Sequence, residues 1–387
     1  MIRAASDVLI VGGGLAGSAA AITLAQAGCA VTLLEKEIKP HNKVCGEFLS
    51  HEALGYLNRL GLDTVALGAV PITAVRLAGR LGVSESPLPF AALSLTRCKL
   101  DEELLRLAAI AGADIRRGCH VHSLEPEKRG RKAILQNGES IAAKTIFLAT
   151  GKHDLYGRAR PAGTQSDLIA FKMYWRLSAA EARKLEGHVE LNLYRGGYAG
   201  LQPVEDGAAN LSCLIRRTDL QRLGGRWPNL LQKMKNDCPH LKQRLHGAEP
   251  LLDRPLAISS IPYGFVRTHA EGLWALGDQA AVIPSFTGDG MSIALHSGQL
   301  AAEMYLRGEA PDAFQQRLHK QLAAQVSLAT TLSRGLVQEP YRTLMEGLVR
   351  LWPGLLTVTA RRTRLSADSI IPMPENVVAV NGDSVGC

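Results

Sequence analysis

The chain has 387 residues, 46% of them hydrophobic and 21% charged, which excludes a disordered or collagen-like polymer and leaves room for two or three interlocked units around a sizeable buried site. Its formal charge of +8 suits an anionic partner, an anionic cofactor or a membrane surface, and equally a merely basic exterior. No block of five or more basic residues and no basic stripe interleaved with aromatics occurs, so nucleic acid is not an expected partner.

The first readable element is the apolar run Asp7-Val-Leu-Ile-Val11, which leads straight into Gly12-Gly-Gly-Leu-Ala-Gly17 and an alanine-rich helix ending at Gly28. A second strand, Ala30 to Leu34, closes on Glu35. Strand, glycine turn, helix, strand and terminal acid in that order read as a dinucleotide cradle. Gly12 permits the tight turn, Gly14 lets backbone approach a pyrophosphate, Gly17 lets the helix pack on the strands, and Glu35 accepts from a ribose hydroxyl. The pyrophosphate is expected at the helix N-terminus, where free N–H groups favour an anion. Although Asp7 to Ala27 is mostly apolar, the glycines interrupt it, so it is not read as an export signal. No other run approaches the roughly 20 apolar residues a spanning helix needs, and a cytoplasmic protein is expected.

Further along, Lys43-Val-Cys-Gly-Glu47 precedes strand-like segments between Pro71 and Leu95, and Arg97 opens a helical stretch through Ile110. By its position Arg97 reads as a solvated residue in a first helical turn. Ser166 to Leu177 and Gly187 to Arg216 alternate like strands, with Gly196-Gly197 as a hairpin signal. They are expected to form a β-rich cap with Phe171, Met173, Tyr198, Gln202 and Phe286 as pocket candidates, although packing in a core would explain each one alone. Then Gly272 to Ala281 reads as a buried strand ending in Gly277-Asp278, followed by a glycine-rich helix start around Gly288-Asp-Gly290. A carboxylate at a strand end followed by such a start suits a polyol chain at Asp278 and an electron-rich ring edge at the N–H groups of Gly290 and Met291. From Pro311 onward the chain reads as helical with breaks at Pro340 and Pro353. Leu348 to Arg364 mixes apolar residues with Arg350, Arg361, Arg362 and Arg364, as a helix docked on an anionic membrane would, or one packed on the core.

The seven cysteines, Cys29, Cys45, Cys98, Cys119, Cys213, Cys238 and Cys387, show no C-x-x-C pair and no zinc spacing, and read as reduced thiols. No metal site is expected, since the histidines are dispersed; His120 and His122 alternate in a strand-like stretch and read as packing or surface residues.

Gly12 to Gly17 with Glu35, Lys43 to Glu47, Arg97 with Asp101, Ala149-Thr-Gly151, and Gly277-Asp278 through Met291 resemble the geranylgeranyl reductase-like flavoproteins, relatives of the p-hydroxybenzoate hydroxylase group, over most of residues 7 to 310. The resemblance implies FAD as cofactor. It places Ala16 in the pyrophosphate turn, Cys45 and Gly46 on the flavin side, Arg97 on the phosphates and Val121 by the adenine, with Lys43 also among the cofactor-binding residues. Two departures stand out. The middle Asp-Gly signature of the hydroxylases is only partly matched by Ala149 to Arg158. Of the reductases' Y-x-W-x-F-P run, Tyr198 and Pro203 remain, with Gly200 and Gln202 in place of the Trp and Phe.

The fold class expected is α/β: a Rossmann-like, glutathione-reductase-like FAD-binding domain built from residues 1–70, 96–165 and 255–310, an inserted β-rich substrate domain from 71–95 and 166–254, and a helical region over 311–387. The activity expected is an NADH- or NADPH-driven monooxygenase acting on a small apolar or aromatic substrate through a C4a-hydroperoxide of the flavin. A reductase saturating C=C bonds of a prenyl or lipid chain is the alternative, and a flavoprotein using FAD only as a structural or sensing element is a third. Candidate catalytic residues are Cys45, Tyr198 and Gln202. With only one dinucleotide fingerprint, electrons are expected to arrive from a transiently docked nicotinamide or from a partner.

Overall fold

In the computed structural model, which describes residues 6–127, 130–366 and 369, two sheets organise the chain. Cys387 and most of 367–387 lie outside the described residues. The first sheet runs in the order Asp114–Arg117, Val31–Glu35, Ser6–Val11, Ser140–Leu148, Gly130–Leu135, Val121–Glu127, with Trp274–Ala275 pairing the end of Ser140–Leu148. Its central strands are parallel, and their inner stretches, residues 8–11, 33–34 and 146–148, are apolar and buried, as strands covered on both faces must be. The helix Leu15–Gln26 follows the first strand so closely that Gly12 sits at φ +111°. A Cβ at Gly12 would strike the Ala149 carbonyl, and one at Gly17 would overlap the Gly12 carbonyl. This helix is buried nearly all round, packed between the helices Arg97–Ile110 and Gly290–Leu306, which is why alanine rather than an amphipathic pattern fills it.

The second sheet has nine strands: Glu249–Pro250, Leu168–Arg176, Ala209–Arg216, Gly197–Pro203, Gly187–Tyr194, Val70–Gly79, Gly82–Ser94 and Phe48–Ser50 in order, with Leu256–Ser259 added on Leu168–Arg176. Its pairings are antiparallel except between Gly187–Tyr194 and Val70–Gly79. One face is covered by the helices Arg217–Arg222, Trp227–Asp237 and Pro239–Arg244 through Phe171, Met173, Trp175 and Ile215. Two strands cross the boundaries read from the sequence: Phe48–Ser50 lies in the 1–70 segment and Leu256–Ser259 in 255–310, yet both pair in the second sheet. The helices Pro311–Val337, Tyr341–Leu351 and Gly354–Arg362 complete the described chain. No helix among the described residues is long and apolar enough to cross a membrane.

Candidate active site

A single cavity of about 800 Å³ runs from the glycine turn to the face of the second sheet turned away from its covering helices. At one end, Gly12, Gly14, Ala16, Glu35 and Val121 line it. Gly17 does not, because its task is the helix–strand contact described above. The Glu35 carboxylate accepts from Gly13 N at 2.8 Å and from Glu37 N at 2.9 Å, which fixes it at the strand end beside the turn. Over the turn stand two cations. A Cβ on Gly14 would meet Arg97 Nη2 at 3.5 Å and Lys43 Nζ at 3.8 Å, so backbone N–H groups and both side chains converge where a pyrophosphate would lie. Asp101 holds them: Arg97 Nε and Nη2 donate to it at 2.8 and 2.9 Å, and Lys43 Nζ at 2.8 Å. Burial opposes the Asp101 charge, but Arg97 and Lys43 outweigh it and keep the carboxyl below the usual range.

The other end of the cofactor groove is made by the turn Gly277–Gln279 and the start of Gly290–Leu306. Asp278 lines the cavity half-buried, and among the described residues no protein group donates to its carboxylate. Its carbonyl accepts from Arg160, itself paired with Asp154, while Gln279 Nε2 donates to Gly151 O and His153 O. The turn is thereby strapped to the segment after Ser140–Leu148. Gly290 and Met291 open the helix at the cavity wall, where no side chain caps the first-turn N–H groups. An acceptor without a donor, uncapped N–H groups and paired cations over a glycine turn fit a dinucleotide carrying a polyol and an anionic ring edge.

Between the ends lies Glu47, fully buried at φ +63°, a left-handed conformation that costs about 1–3 kcal/mol outside glycine. Its surroundings hold it there. Arg97 N donates to Glu47 Oε1 at 2.8 Å, the Tyr174 hydroxyl donates to the carboxylate at 2.7 Å, Asn210 Nδ2 at 3.0 Å, and Lys172 Nζ lies 2.5 Å from Oε1 as a buried ion pair. Asn210 also donates to the Cys45 and Gly46 carbonyls. Burial pushes the Glu47 carboxyl up and the Lys172 ammonium down, and each partner counters the other's shift. The loop over the flavin end is therefore pinned to the second sheet through one carboxylate.

Beyond Glu47 the cavity becomes an apolar chamber. Val75, Leu77, Leu191, Leu214 and Ile258 come from the second sheet, and Leu336, Met345, Val349 and Leu356 from the last three helices. Tyr198, Tyr263 and Phe286 stand between chamber and flavin end, with the Tyr263 hydroxyl 2.5 Å from Ser285 Oγ and the Tyr198 ring edge-on to Phe286.

Comparison with known proteins agrees with this geometry. Residues 5–147 match the model of an FAD binding domain. A menaquinone reductase of Mycolicibacterium smegmatis is 27% identical over 79% of this chain and 78% of its own. A digeranylgeranylglycerophospholipid reductase of Methanopyrus kandleri is 26% identical over 77% and 76%. The chain is an FAD-dependent oxidoreductase.

Two solved structures share the oxidoreductase's fold: the flavin-dependent brominase Bmp2, with TM-score 0.76, 21% identity and 93% of each chain covered, and a geranylgeranyl bacteriochlorophyll reductase-like protein of Thermoplasma acidophilum, with TM-score 0.72, 20% identity and coverage of 95% and 94%. The sequence-derived residues fall in this cavity with some exceptions. Phe171 and Met173 face the opposite side of their strand and pack under the covering helices, so they are core residues, not pocket residues. Gln202 touches the cavity, but its amide donates to the Glu47 carbonyl and to Ser94, which makes it a further pin of the same loop. Arg364 is turned inward on Asp289 and so leaves the basic face read along Leu348 to Arg364. His120 precedes its strand, and His122 stacks on Tyr156 at 4.9 Å. Lys172, Tyr174, Asn210, Arg160 and Tyr263 of the oxidoreductase were not singled out in the sequence. A lone lysine inside the apolar strand LIAFKMYWR is the one signal that points to the first two.

Proposed function

We propose that this oxidoreductase saturates a carbon–carbon double bond in a prenyl or other lipid chain. The observation that carries the reading is the chamber: apolar, continuous with the flavin end, and prolonged beneath the last three helices, a shape suited to a chain. The menaquinone and digeranylgeranylglycerophospholipid reductases among the relatives support it. Hydroxylation, the first expectation from the sequence, would use the same cofactor, but nothing in the chamber singles it out.

An FAD held by the glycine turn, Arg97, Lys43 and Asp278 would, when reduced, be the source of the hydride for one carbon of the double bond. The chain must supply the proton to the other carbon. Tyr198 is the candidate for it, since its hydroxyl lines the cavity and is buried without a well-formed hydrogen bond to the protein. Cys45 is the second donor within the cavity wall. The apolar walls exclude water, and the paired Arg97 and Lys43 over the glycine turn would hold the cofactor's phosphates. NADH or NADPH is the proposed electron donor.

The deciding experiment is anaerobic. Dithionite-reduced protein is mixed with prenylated quinones and unsaturated isoprenoid lipids, and products are weighed by mass spectrometry. A gain of two hydrogens without oxygen supports saturation. Unchanged prenyl substrates, together with oxygen-dependent product from an aromatic panel, would return the reading to hydroxylation.

A further inference from the structure

The chamber wall has a second face. On the helix Tyr341–Leu351, Tyr341, Leu344, Leu348 and Leu351 recur at i, i+3, i+7 and i+10 and form one stripe. Leu344 is 60% exposed, Leu351 86% and the following Trp352 59%. Met345 and Val349, one residue further along from Leu344 and Leu348, border the chamber instead. The same helix thus carries apolar residues to the substrate space and to the outside. Exposed Leu81 and Val83 lie beside it on the hairpin that Arg350 clasps through the Leu81 carbonyl, and exposed Val358 extends the patch onto Gly354–Arg362. Apolar side chains gathered this way on an outer surface mark a docking face.

The charges around the patch say what it docks to. Residues 340–366 contain five arginines and one glutamate, and that glutamate, Glu346, is buried against the hairpin at Leu81 N. Arg361 and Arg362 are exposed at the end of the last helix, and Arg80 at the hairpin. The nearby exposed acids, Glu85 and Glu339, are paired with Arg76 and Arg342. A tryptophan and leucines flanked by arginines, without a free acid between them, complement an anionic bilayer: the apolar stripe enters the acyl boundary and the arginines meet phosphate headgroups.

We propose that the stripe Tyr341, Leu344, Leu348, Leu351 and Trp352 seats the protein on an anionic lipid bilayer, with the helix Tyr341–Leu351 serving at once as membrane anchor and as wall of the substrate chamber. An apolar chain then passes from the bilayer into the chamber without crossing water. The route for the chain rests on the proposed lipid-chain substrate, whereas the docking itself does not.

The test is sedimentation of the full, FAD-loaded chain with vesicles of phosphatidylcholine alone or mixed with phosphatidylglycerol. The parent is expected to bind the mixed vesicles, and the double variant Leu344→Glu, Leu351→Glu to bind about tenfold less, with its flavin absorbance and thermal midpoint unchanged. Arg361→Gln with Arg362→Gln should remove the preference for phosphatidylglycerol. No binding by the parent, or equal binding by the parent and the leucine variant, overturns the proposal. A parent that is dimeric in solution and dispersed by the leucine substitutions overturns it in favour of a second copy of this chain. Vesicle binding is read without turnover, so a protein that docks yet leaves prenyl lipids unchanged refutes the substrate reading and retains the docking.

Discussion

Arg97 and Asp101 form a two-pronged ion pair one helical turn apart, and Lys43 closes on the same carboxylate from the loop above. Asp101 therefore sets the position of both cations over the glycine turn without itself lining the cavity. Removing it leaves both charges in place but free to wander. Asp101→Asn is expected to weaken FAD binding about tenfold, and Arg97→Ala about ten- to a hundredfold, as for loss of a charge-assisted contact. Titration of apoprotein followed by flavin fluorescence quenching measures both. FAD affinity unchanged in Arg97→Ala would mean that the phosphates lie elsewhere.

The two aspartates of the late turn separate by task. Asp278 has an acceptor facing the cavity and no protein donor among the described residues, so Asp278→Ala should lower FAD affinity about ten- to a hundredfold while the apoprotein melts as the parent does. Asp289, three residues after Phe286, is fully buried, bonded to Arg364 and Gln325, and burial pushes its carboxyl up to about 6 against the pull of Arg364. Asp289→Ala strands Arg364, itself nearly buried, and should destabilise the fold by about 3–5 kcal/mol. Urea melts of both apoproteins distinguish the outcomes; an intact melt for Asp289→Ala would contradict this division.

Breaking the Glu47–Lys172 pair from one side leaves a buried charge alone. Lys172→Met is expected to destabilise the protein by roughly 3–5 kcal/mol, and combining it with Glu47→Gln should recover a large part of that loss. A double-mutant cycle on chemical denaturation gives the coupling. If the two single losses simply add, the pair does not act as the pin of the flavin-side loop.

His296 offers a pH signature. Burial lowers its pKa to about 4, and its ring is read as neutral, Nε2–H donating to Gln321 Oε1 at 2.9 Å and Nδ1 accepting from the Tyr56 hydroxyl at 2.7 Å. The unfolded chain protonates near the ordinary histidine value while the folded one resists, so stability is full above that value and is lost as pH falls toward 4. The difference amounts to about 3 kcal/mol at the low end. His296→Gln should flatten the fall of the melting midpoint between neutral and acid pH. Parallel curves for parent and variant would remove His296 from the account.

Tyr198→Phe removes the proposed proton donor and leaves a ring of nearly the same shape. Turnover on a prenyl substrate should fall about a hundredfold or more, with flavin reduction by NADH or NADPH unaffected. A loss confined to Cys45→Ser would move the role to that thiol. Rapid-mixing spectra of the two half-reactions separate these results.

The cradle was legible because each of its residues answers a local demand: Gly12 and Gly17 have no room for a side chain, and Glu35 ends the strand beside them. The second sheet was legible as strands but not as a surface. Alternation says that Phe171 and Met173 share a face with each other; it does not say whether that face meets helices or a cavity, and the opposite parity puts Lys172 and Tyr174 at the site. The chamber's far wall was hidden for another reason. Met345 and Leu77 line one chamber from segments more than 250 residues apart, and no local pattern in either segment names the other.

The groove between the glycine turn and Asp278 joins residues from opposite ends of the chain. Gly12 to Glu35 leaves the ribosome early, whereas Trp274–Ala275, which completes the parallel strands, and Gly290 appear some 240 residues later. A nascent chain holding only the first half has the adenosine side of the groove and no partner for the flavin. The groove is complete only when both segments are in place, and bound FAD would fasten them together, so the apoprotein should be cut by proteases at these segments faster than the FAD-loaded chain.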